Sequence, residues 1–311
     1  MLWQLILLNF LQLLVLPAFA LSSPPSGAIT IGQGGKYATI SAAMQDSSSS
    51  VYFIFSGTYK EQVLITRSNI KIYGQTNTPS SYSGNTVTIT NNVPASTAGS
   101  NDASGTVQVH DTNVALYNLN IANTFGQGSQ AIALSVQDGQ FGAYGLKLTG
   151  YQDTLLANEG LQYYSQCWIE GATDFIFGMR ASIWITKSII NTVQSGVGWI
   201  TASGRSSDDN NWYVIDNSKI QGTGTAYLGR PWRDYARVVF QNCNLGSNVP
   251  AAGWSIWNVG DDQTDHVTYA EFNNTGPGAL GARANFSSKL SSPVSRSTVL
   301  SSTSWVDPAF L

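Results

Sequence analysis

Two short acidic segments in the middle of the chain carry residue types that could do chemistry. Asp153 lies in the sequence YQDTL (residues 151–155), and Asp174 opens the sequence DFIFG (residues 174–178), 21 residues further on. If these two acids lie side by side, both cannot ionise cheaply at neutral pH, so one apparent pKa of the pair is raised. One acid can then act as a nucleophile and the other as a proton donor.

Three other polar residues could complete such a site. Gln130 and Gln152 are 22 residues apart, and their amides could donate hydrogen bonds to a developing oxyanion. Arg230, in the sequence LGRPW (residues 228–232), precedes a proline and could keep one carboxylate charged through a two-point contact. A nucleophile, an acid, oxyanion donors and an orienting cation together suit acyl transfer at a carbonyl carbon.

The spacing of these residues matches a period in the apolar pattern. A small or apolar residue stands two positions before a bulky aliphatic one at Leu119/Ile121, Leu146/Leu148, Cys167/Ile169, Ser188/Ile190, Ser218/Ile220 and Cys243/Leu245. Repeats of this size, made of short strands and polar turns with almost no helical period, predict an all-β solenoid, a parallel β-helix. Coils of such a fold stack at about 4.8 Å, which would bring the two acids and the two amides to one face.

Composition narrows the possible functions. The chain has 311 residues, 42% of them hydrophobic and only 11% charged, with a net charge of -3. A solenoid can use this whole length as one domain. The absence of a basic footprint argues against a nucleic-acid partner. We expect a monomer that needs no cofactor and no metal.

The first 20 residues predict secretion. They carry no charged side chain and end in Ala18, Phe19 and Ala20, a small-x-small cleavage signature of a secretory signal peptide. We therefore expect an extracellular protein, free of the membrane once the leader is removed, whose single domain spans residues 21–311. A membrane anchor is the alternative, although polar residues interrupt the apolar run and it is short for a span.

Cysteines and sequons bear on the same compartment. Cys167 and Cys243 invite a disulfide in a secreted protein. Their equivalent positions three coils apart would separate them by about 14 Å, too far for a bridge, so we predict two buried free thiols. Asn273 and Asn285 open Asn-x-Ser/Thr sequons and are candidate glycosylation sites.

Several local elements frame the predicted coils. Residues 41–46 predict a short helix, with Thr39 or Ser41 as cap, that would close the N-terminal end of the solenoid. Strands are predicted at 51–55, 69–74 and 86–90 by alternation, and a loop at 91–105. The tail, 287–311, should pack across the solenoid and shield an edge. Glu61, in the sequence GTYKE (residues 57–61), is expected in a buried salt bridge.

These segments together resemble the pectinesterases (pectin methylesterases), most of all the fungal type. The resemblance covers about residues 28–310 and rests on GTYKE (57–61), QAIAL (130–134), YQDTL (151–155), DFIFG (174–178) and LGRPW (228–232), in this order and at these spacings. It implies a right-handed, single-stranded parallel β-helix that removes methyl esters from pectin, giving pectate and methanol. The implied partner is the polysaccharide, homogalacturonan.

The resemblance also implies a role for each matching residue. Asp174 would be the nucleophile and Asp153 the proton donor and later the base. Gln130 and Gln152 would hold the oxyanion, and Arg230 would orient Asp174. For binding substrate, Gln130 and Arg230 are joined by Trp232, which would stack on a sugar ring, and by four further candidates for lining the groove: Tyr151, Phe175, Trp254 and Trp257. Where many plant relatives have a substrate-binding Thr, about 30 residues before the first Gln, this chain reads SNDASG (100–105).

Other readings compete with an aspartate esterase. A Ser-His-Asp esterase would need His110 or His266, yet the sequence contains no Gly-x-Ser-x-Gly elbow. A backbone-cleaving β-helix pectinase would be a hydrolase with separated acids or a lyase with a denser acid cluster. A non-catalytic pectin-binding solenoid would have no need of the acid pair or of Arg230.

Overall fold

The computed structural model describes residues 21–311. The predicted signal peptide, residues 1–20, lies outside the described residues. The described chain winds as a right-handed parallel β-helix whose strands pair in parallel with the strands of the neighbouring coils. The predicted all-β fold class is confirmed. None of the helices among residues 21–311 has the length and apolar character needed to cross a bilayer.

Three sheets run along the solenoid, and each is described here by its strands in stacking order. The first sheet contains Ile29–Ile31, Val51–Ile54, Ile70–Gly74, Val114–Tyr117, Phe141–Tyr144, Glu159–Ser165, Arg180–Thr186, Tyr213–Asp216, Arg237–Gln241, Thr268–Phe272 and Ser287–Lys289. The second contains Gly57–Lys60, Val87–Asn91, Asn120–Asn123, Lys147–Thr149, Trp168–Gly171, the first parts of Ile189–Ser203 and Lys219–Pro231, and Asn244–Leu245. The third contains Val63–Ile65, Val107–Val109, Leu134–Val136, Leu155–Ala157, Thr173–Gly178 and the last parts of the two long strands.

The apolar period predicted from the sequence is the stacking register of the second sheet. One core row pairs Ile121, Leu148, Ile169, Ile190, Ile220 and Leu245 across successive coils. Each of these side chains is 0% exposed. A coil that slipped by one residue would turn this row outward, so burial sets the register on which the site depends.

Both cysteines lie in the same core and are not bonded to each other. Burial raises the pKa of each thiol to about 12. Cys167 and Cys243 are therefore inert, buried thiols, as predicted.

Short helices close the ends and corners of the coils. The helices are α1 (Ile40–Ala43), α2 (Ala95–Ala98) and α3 (Arg296–Leu300), and the 3-10 turns are Tyr82–Gly84, Asp102–Ser104, Pro277–Ala279 and Pro308–Phe310. The predicted N-terminal capping helix is present but shorter than 41–46, and its N-cap is Thr39, whose Oγ1 accepts from the Ala42 N–H at 3.3 Å. The segment 91–105, predicted as a loop, contains α2 and a 3-10 turn.

Glu61 does not form the predicted salt bridge. Its carboxylate accepts hydrogen bonds from the N–H groups of Ile40 and Ser41, both at 2.9 Å, and from the Ser41 hydroxyl at 2.6 Å. These N–H groups open α1 and have no partner inside the helix, so an anion at this position satisfies them. The acid of the GTYKE segment therefore fixes α1 over the end of the solenoid.

The C-terminal tail packs as predicted. Ser287–Lys289 pairs with Thr268–Phe272 and covers the last edge of the first sheet. The tail then crosses the outer face of that sheet, where Phe310 is 7% exposed and packs with Tyr117 and Tyr144.

Candidate active site

A cavity of about 240 Å³ opens on the third sheet and gathers most of the predicted site residues. Its lining consists of Asn101, Gln130, Gln152, Asp153, Asp174, Phe177, Ala202, Arg230, Trp232 and Trp257. Residues separated by up to 156 positions in the chain meet here because each coil returns to the same face. The predicted convergence of two acids, two amides, one cation and two indoles is found in the structure.

The two aspartates occupy equivalent positions on adjacent coils. Gln152 forms a bridge with Thr173, and Asp153 donates its N–H to the Thr173 carbonyl at 3.1 Å. Asp153 and Asp174 both adopt left-handed backbone conformations, with φ of 66° and 51°. Aspartate tolerates this region better than most residues.

A β-bulge accompanies the second aspartate. Between Thr173 and Ile176 the register with the strand Ile189–Ser203 shifts, so Asp174 lies where the ladder is interrupted. Bulges redirect side chains and are common beside active sites. The left-handed residue and the bulge together turn the Asp174 carboxylate out of the ladder and into the cavity.

Burial and charge distinguish the two carboxyls. Each residue is 6% exposed. Burial, together with the neighbouring Asp174 carboxylate, raises the pKa of Asp153 well above its ordinary value. Burial also raises the pKa of Asp174, but the hydrogen bonds and charge of Arg230 oppose that rise. The proton of the pair therefore belongs on Asp153, and Asp174 is the ionised member.

Arg230 makes the predicted two-point contact with Asp174. Its Nε donates to Oδ1 at 2.9 Å and its Nη2 donates to Oδ2 at 2.6 Å. The strand Lys219–Pro231 carries it, with Arg230 paired to Ala202 on the preceding coil. The guanidinium also lies between two indole rings, with its Cζ 3.8 Å from the ring centroid of Trp199 and 4.3 Å from that of Trp257.

The two glutamines present amides to the same cavity. The Gln130 carbonyl accepts from the first N–H of α2, that of Ala95, at 2.8 Å. Its side-chain Oε1 lies 3.5 Å from the Ser129 hydroxyl, an arrangement that leaves its NH2 group for the cavity. The Gln152 carbonyl accepts from the Ala131 N–H at 3.1 Å.

The aromatic predictions divide. Trp232 and Trp257 line the cavity. Phe175 and Trp254, predicted to line the groove, are 0% and 1% exposed and lie in the core, so both predictions are wrong. Trp254 stacks on Tyr269 at 4.3 Å between ring centroids.

Tyr151 is half-buried and is not part of the lining. Its carbonyl accepts from the N–H groups of Ala172 and Thr173 at 2.7 and 3.2 Å. Tyr151 therefore shapes the coil beside the acids, and its predicted place along the groove is not found in the cavity itself.

Four residues of the site escaped the sequence reasoning. Asn101, Phe177 and Ala202 line the cavity, and Trp199 stacks on Arg230. Asn101 lies in the SNDASG segment that differs from many plant relatives. Its spacing of 29 residues before Gln130 was the available signal.

The segment that carries Asn101 is held from below by its neighbour. The Asp102 carboxylate accepts from the Ser135 hydroxyl at 2.6 Å and lies 2.9 Å from His110 Nε2. His266 pairs with Asp234. Both histidines lie in the described part of the chain and neither lines the cavity, so the geometry does not support a histidine-based esterase.

The fold and the cavity define a class, the β-helix enzymes with a cleft of carboxylates, amides and indoles suited to a carbohydrate substrate. The pectinesterase family model matches residues 28–299. A probable pectinesterase A of Neosartorya fischeri is 43% identical over 303 residues, which cover 93% of this chain and 91% of that relative. The chain belongs to the pectinesterase family.

Solved structures agree with this membership. The crystal structure of the pectin methylesterase from Aspergillus niger in deglycosylated form matches with a TM-score of 0.87 at 40% identity, covering 94% of this chain and 100% of that chain. The pectin methylesterase from carrot matches with a TM-score of 0.82 at 26% identity, covering 91% and 96%. The fungal resemblance predicted from five short segments is confirmed, and the esterase reading is supported over the backbone-cleaving and non-catalytic alternatives.

Proposed function

We propose that Asp174 and Asp153 carry out the family's reaction, hydrolysis of the methyl ester at C6 of galacturonan, as nucleophile and as acid and base respectively. The observation that carries this assignment is the two-point contact of Arg230 with Asp174 at 2.9 and 2.6 Å. A carboxylate paired in this way stays ionised despite burial. An ionised carboxylate can attack, and its protonated neighbour can donate.

In the first half of the reaction, an Asp174 oxygen attacks the ester carbonyl carbon. The carbonyl electron pair moves to oxygen, and the side-chain amides of Gln130 and Gln152 donate to that oxyanion. When the intermediate collapses, the bond from carbon to the methoxy oxygen breaks and the Asp153 proton passes to that oxygen. Methanol leaves, and an anhydride joins Asp174 to the galacturonyl carbon.

In the second half, Asp153 is a carboxylate and acts as base. It takes a proton from water, whose oxygen attacks the same carbonyl carbon. The second oxyanion is held by the same amides. Collapse breaks the anhydride, restores the Asp174 carboxylate and releases the galacturonate, while Asp153 keeps its proton for the next cycle.

The electrostatics of the cavity suit both halves. The raised pKa of Asp153 keeps it protonated when the ester arrives. Once the anhydride forms, Asp174 loses its negative charge, which removes one of the causes of that raised pKa, and Asp153 can ionise. Trp232 and Trp257 offer flat apolar faces for sugar rings beside the acids, while Gln130 and Arg230 supply polar contacts.

The decisive experiment measures methanol, new reducing ends and unsaturated products from methylated pectin in one reaction. Esterase activity gives methanol alone, whereas a hydrolase gives reducing ends and a lyase gives unsaturated product. Asp174→Asn should abolish methanol release while pectin binding is retained. Asp138→Asn, the same change at an exposed carboxylate, is the matched control; methanol release by Asp174→Asn at the control's rate would exclude Asp174 as nucleophile.

For processing, we propose that residues 1–20 are a secretory leader and that residues 21–311 act as one extracellular, monomeric domain. Asn285 is exposed, whereas the Asn273 Nδ2 donates to Asn242 Oδ1 at 3.0 Å in a polar turn. We therefore expect a glycan on Asn285 before Asn273. Intact mass of the secreted protein, before and after endoglycosidase treatment, tests leader removal and glycan attachment together.

A further inference from the structure

Trp199 contacts the catalytic cation from the side away from the cavity. The Arg230 Cζ lies 3.8 Å from the Trp199 ring centroid, closer than the 4.3 Å to Trp257 on the other face. Trp257 lines the cavity and Trp199 does not. Trp199 therefore cannot act by contacting substrate, and its influence has to pass through Arg230.

The backbone of Trp199 ties together the two residues of the ion pair. On the strand Ile189–Ser203, Trp199 pairs with Thr173, the residue before Asp174, and with Tyr227, three residues before Arg230. The indole thus stands between the coil that presents the carboxylate and the coil that presents the guanidinium.

The indole is not retained for its N–H. Among residues 21–311, no acceptor lies within hydrogen-bonding distance of the buried Trp199 Nε1, and an unpaired buried donor is unfavourable. A leucine or phenylalanine would fill the space without that cost. What only an aromatic ring supplies at this position is a face for a cation, and tryptophan supplies the best one.

A guanidinium held between two rings cannot tilt. Its donors lie in its own plane, so fixing the plane fixes the direction in which Nε and Nη2 point. Both point at Asp174 here. Without the Trp199 ring, the guanidinium could rotate and become hydrated, and one of the two contacts with Asp174 would lengthen.

We propose that Trp199 is a positioning residue for ester hydrolysis, one that holds the plane of Arg230 so that both donors meet the attacking carboxylate. The inference rests on the proposed function, since it matters for turnover only if Asp174 attacks. It predicts that loss of the ring face acts on the chemical step and not on substrate binding.

The test compares Trp199→Leu with Trp199→Phe, measuring kcat and KM from methanol release between pH 4 and 9. Trp199→Leu should lower kcat roughly 5- to 30-fold, the equivalent of one desolvated cation–π contact, with KM unchanged. The acidic limb of the kcat profile should move to higher pH, because Asp174 is then less well held in its ionised form. Trp199→Phe keeps a ring face and should recover most of the loss in kcat.

Two outcomes would overturn the proposal. An unchanged acidic limb in Trp199→Leu, with only a lower melting temperature, would make the indole a packing residue. A higher KM at unchanged kcat would make it a substrate contact.

A thermodynamic cycle reads the contact without any assay of turnover, and it covers the case in which Trp199→Leu folds poorly. Thermal unfolding of Trp199→Phe, Arg230→Gln and the double variant should show coupling, because Trp199→Phe weakens a contact that Arg230→Gln has already removed. Additive effects would refute the clamp. Failure of the proposed function looks different: Asp174→Asn would keep its activity, whatever the cycle shows.

Discussion

Replacing Asp153 with asparagine should inactivate the protein and stabilise it at the same time. The substitution keeps the shape of the side chain and removes its proton and charge. Asp153 is 6% exposed, and burial together with Asp174 raises its pKa well above 3.8. A group held in this state supports catalysis at the expense of folding stability.

The sign follows from proton linkage. Between pH 3.8 and the higher pKa of the folded state, the folded chain binds more protons at Asp153 than the unfolded chain. Stability therefore falls as pH rises through that window, by about 1.4 kcal/mol for each unit by which the pKa is raised. Asparagine does not titrate, so Asp153→Asn should be the more stable protein at pH 7. The difference should vanish below about pH 4, where both states of the wild type are protonated.

The expected size is measurable. Relief of a strained functional group typically yields about 0.5–2 kcal/mol, and a domain of this length gains about 2 °C in Tm per kcal/mol. Loss of a general acid should lower kcat about 100- to 10,000-fold. Calorimetry from pH 3 to 8, with methanol release on the same samples, measures both effects.

A control with the opposite sign makes this prediction sharper. Asp46 is an exposed carboxylate whose pKa is lowered, first by its hydrogen bond from Lys36. Its stabilising effect is present at neutral pH and lost as pH falls, so Asp46→Asn should lower the Tm at pH 7 and leave kcat unchanged. If Asp153→Asn instead behaved like Asp46→Asn in calorimetry, or kept its turnover, the reasoning on the acid pair would be refuted.

Two further substitutions test the oxyanion donors and the N-terminal cap. Gln152→Ala should lower kcat about 100- to 1,000-fold with a small change in KM, while Gln221→Ala, the same change on a distant strand, should not; equal kcat values for the two variants would contradict the oxyanion role. Glu61→Gln should cost about 1 kcal/mol, because the N-terminus of α1 loses its anion, and Tm measures it against Glu159→Gln, an exposed ion-pair residue expected near zero. Equal Tm values for those two variants would show that Glu61 only packs.

The register of the site could be predicted from sequence because burial enforces it. The core row through Ile121, Leu148 and Ile169 repeats at the coil length, and the acids repeat at the same length. Once the coil length is known, a residue one period away is a neighbour in space. That is why Asp153, Asp174 and both glutamines could be brought together without coordinates.

The side-chain directions near Asp174 could not be predicted, because the bulge breaks the rule that neighbours alternate. Phe175 and Ile176 are consecutive, yet both are 0% exposed and face the core, while Phe177 lines the cavity. Strict alternation would have put Phe175 and Phe177 on one side. The error over Phe175 is therefore the local signature of the irregularity that also turns Asp174 outward.

Residues outside the repeat were harder still. Trp254 and Trp257 are three residues apart in a segment without periodicity, and one lies in the core while the other lines the cavity. Trp199 lies on a strand, but its contact with Arg230 depends on how far a long side chain reaches across coils. Local pattern contains no information on either point.

The deepest asymmetry of the site also lies outside the repeat. Asp153 and Asp174 are the same residue type at equivalent positions of adjacent coils, both left-handed in backbone and both 6% exposed. Nothing in their own segments decides which one attacks. Arg230, 56 residues beyond Asp174, reaches only one of them with both donors. The assignment of nucleophile and acid is therefore made by a third coil, which is why the motif that contains Arg230 is as informative about mechanism as the two that contain the acids.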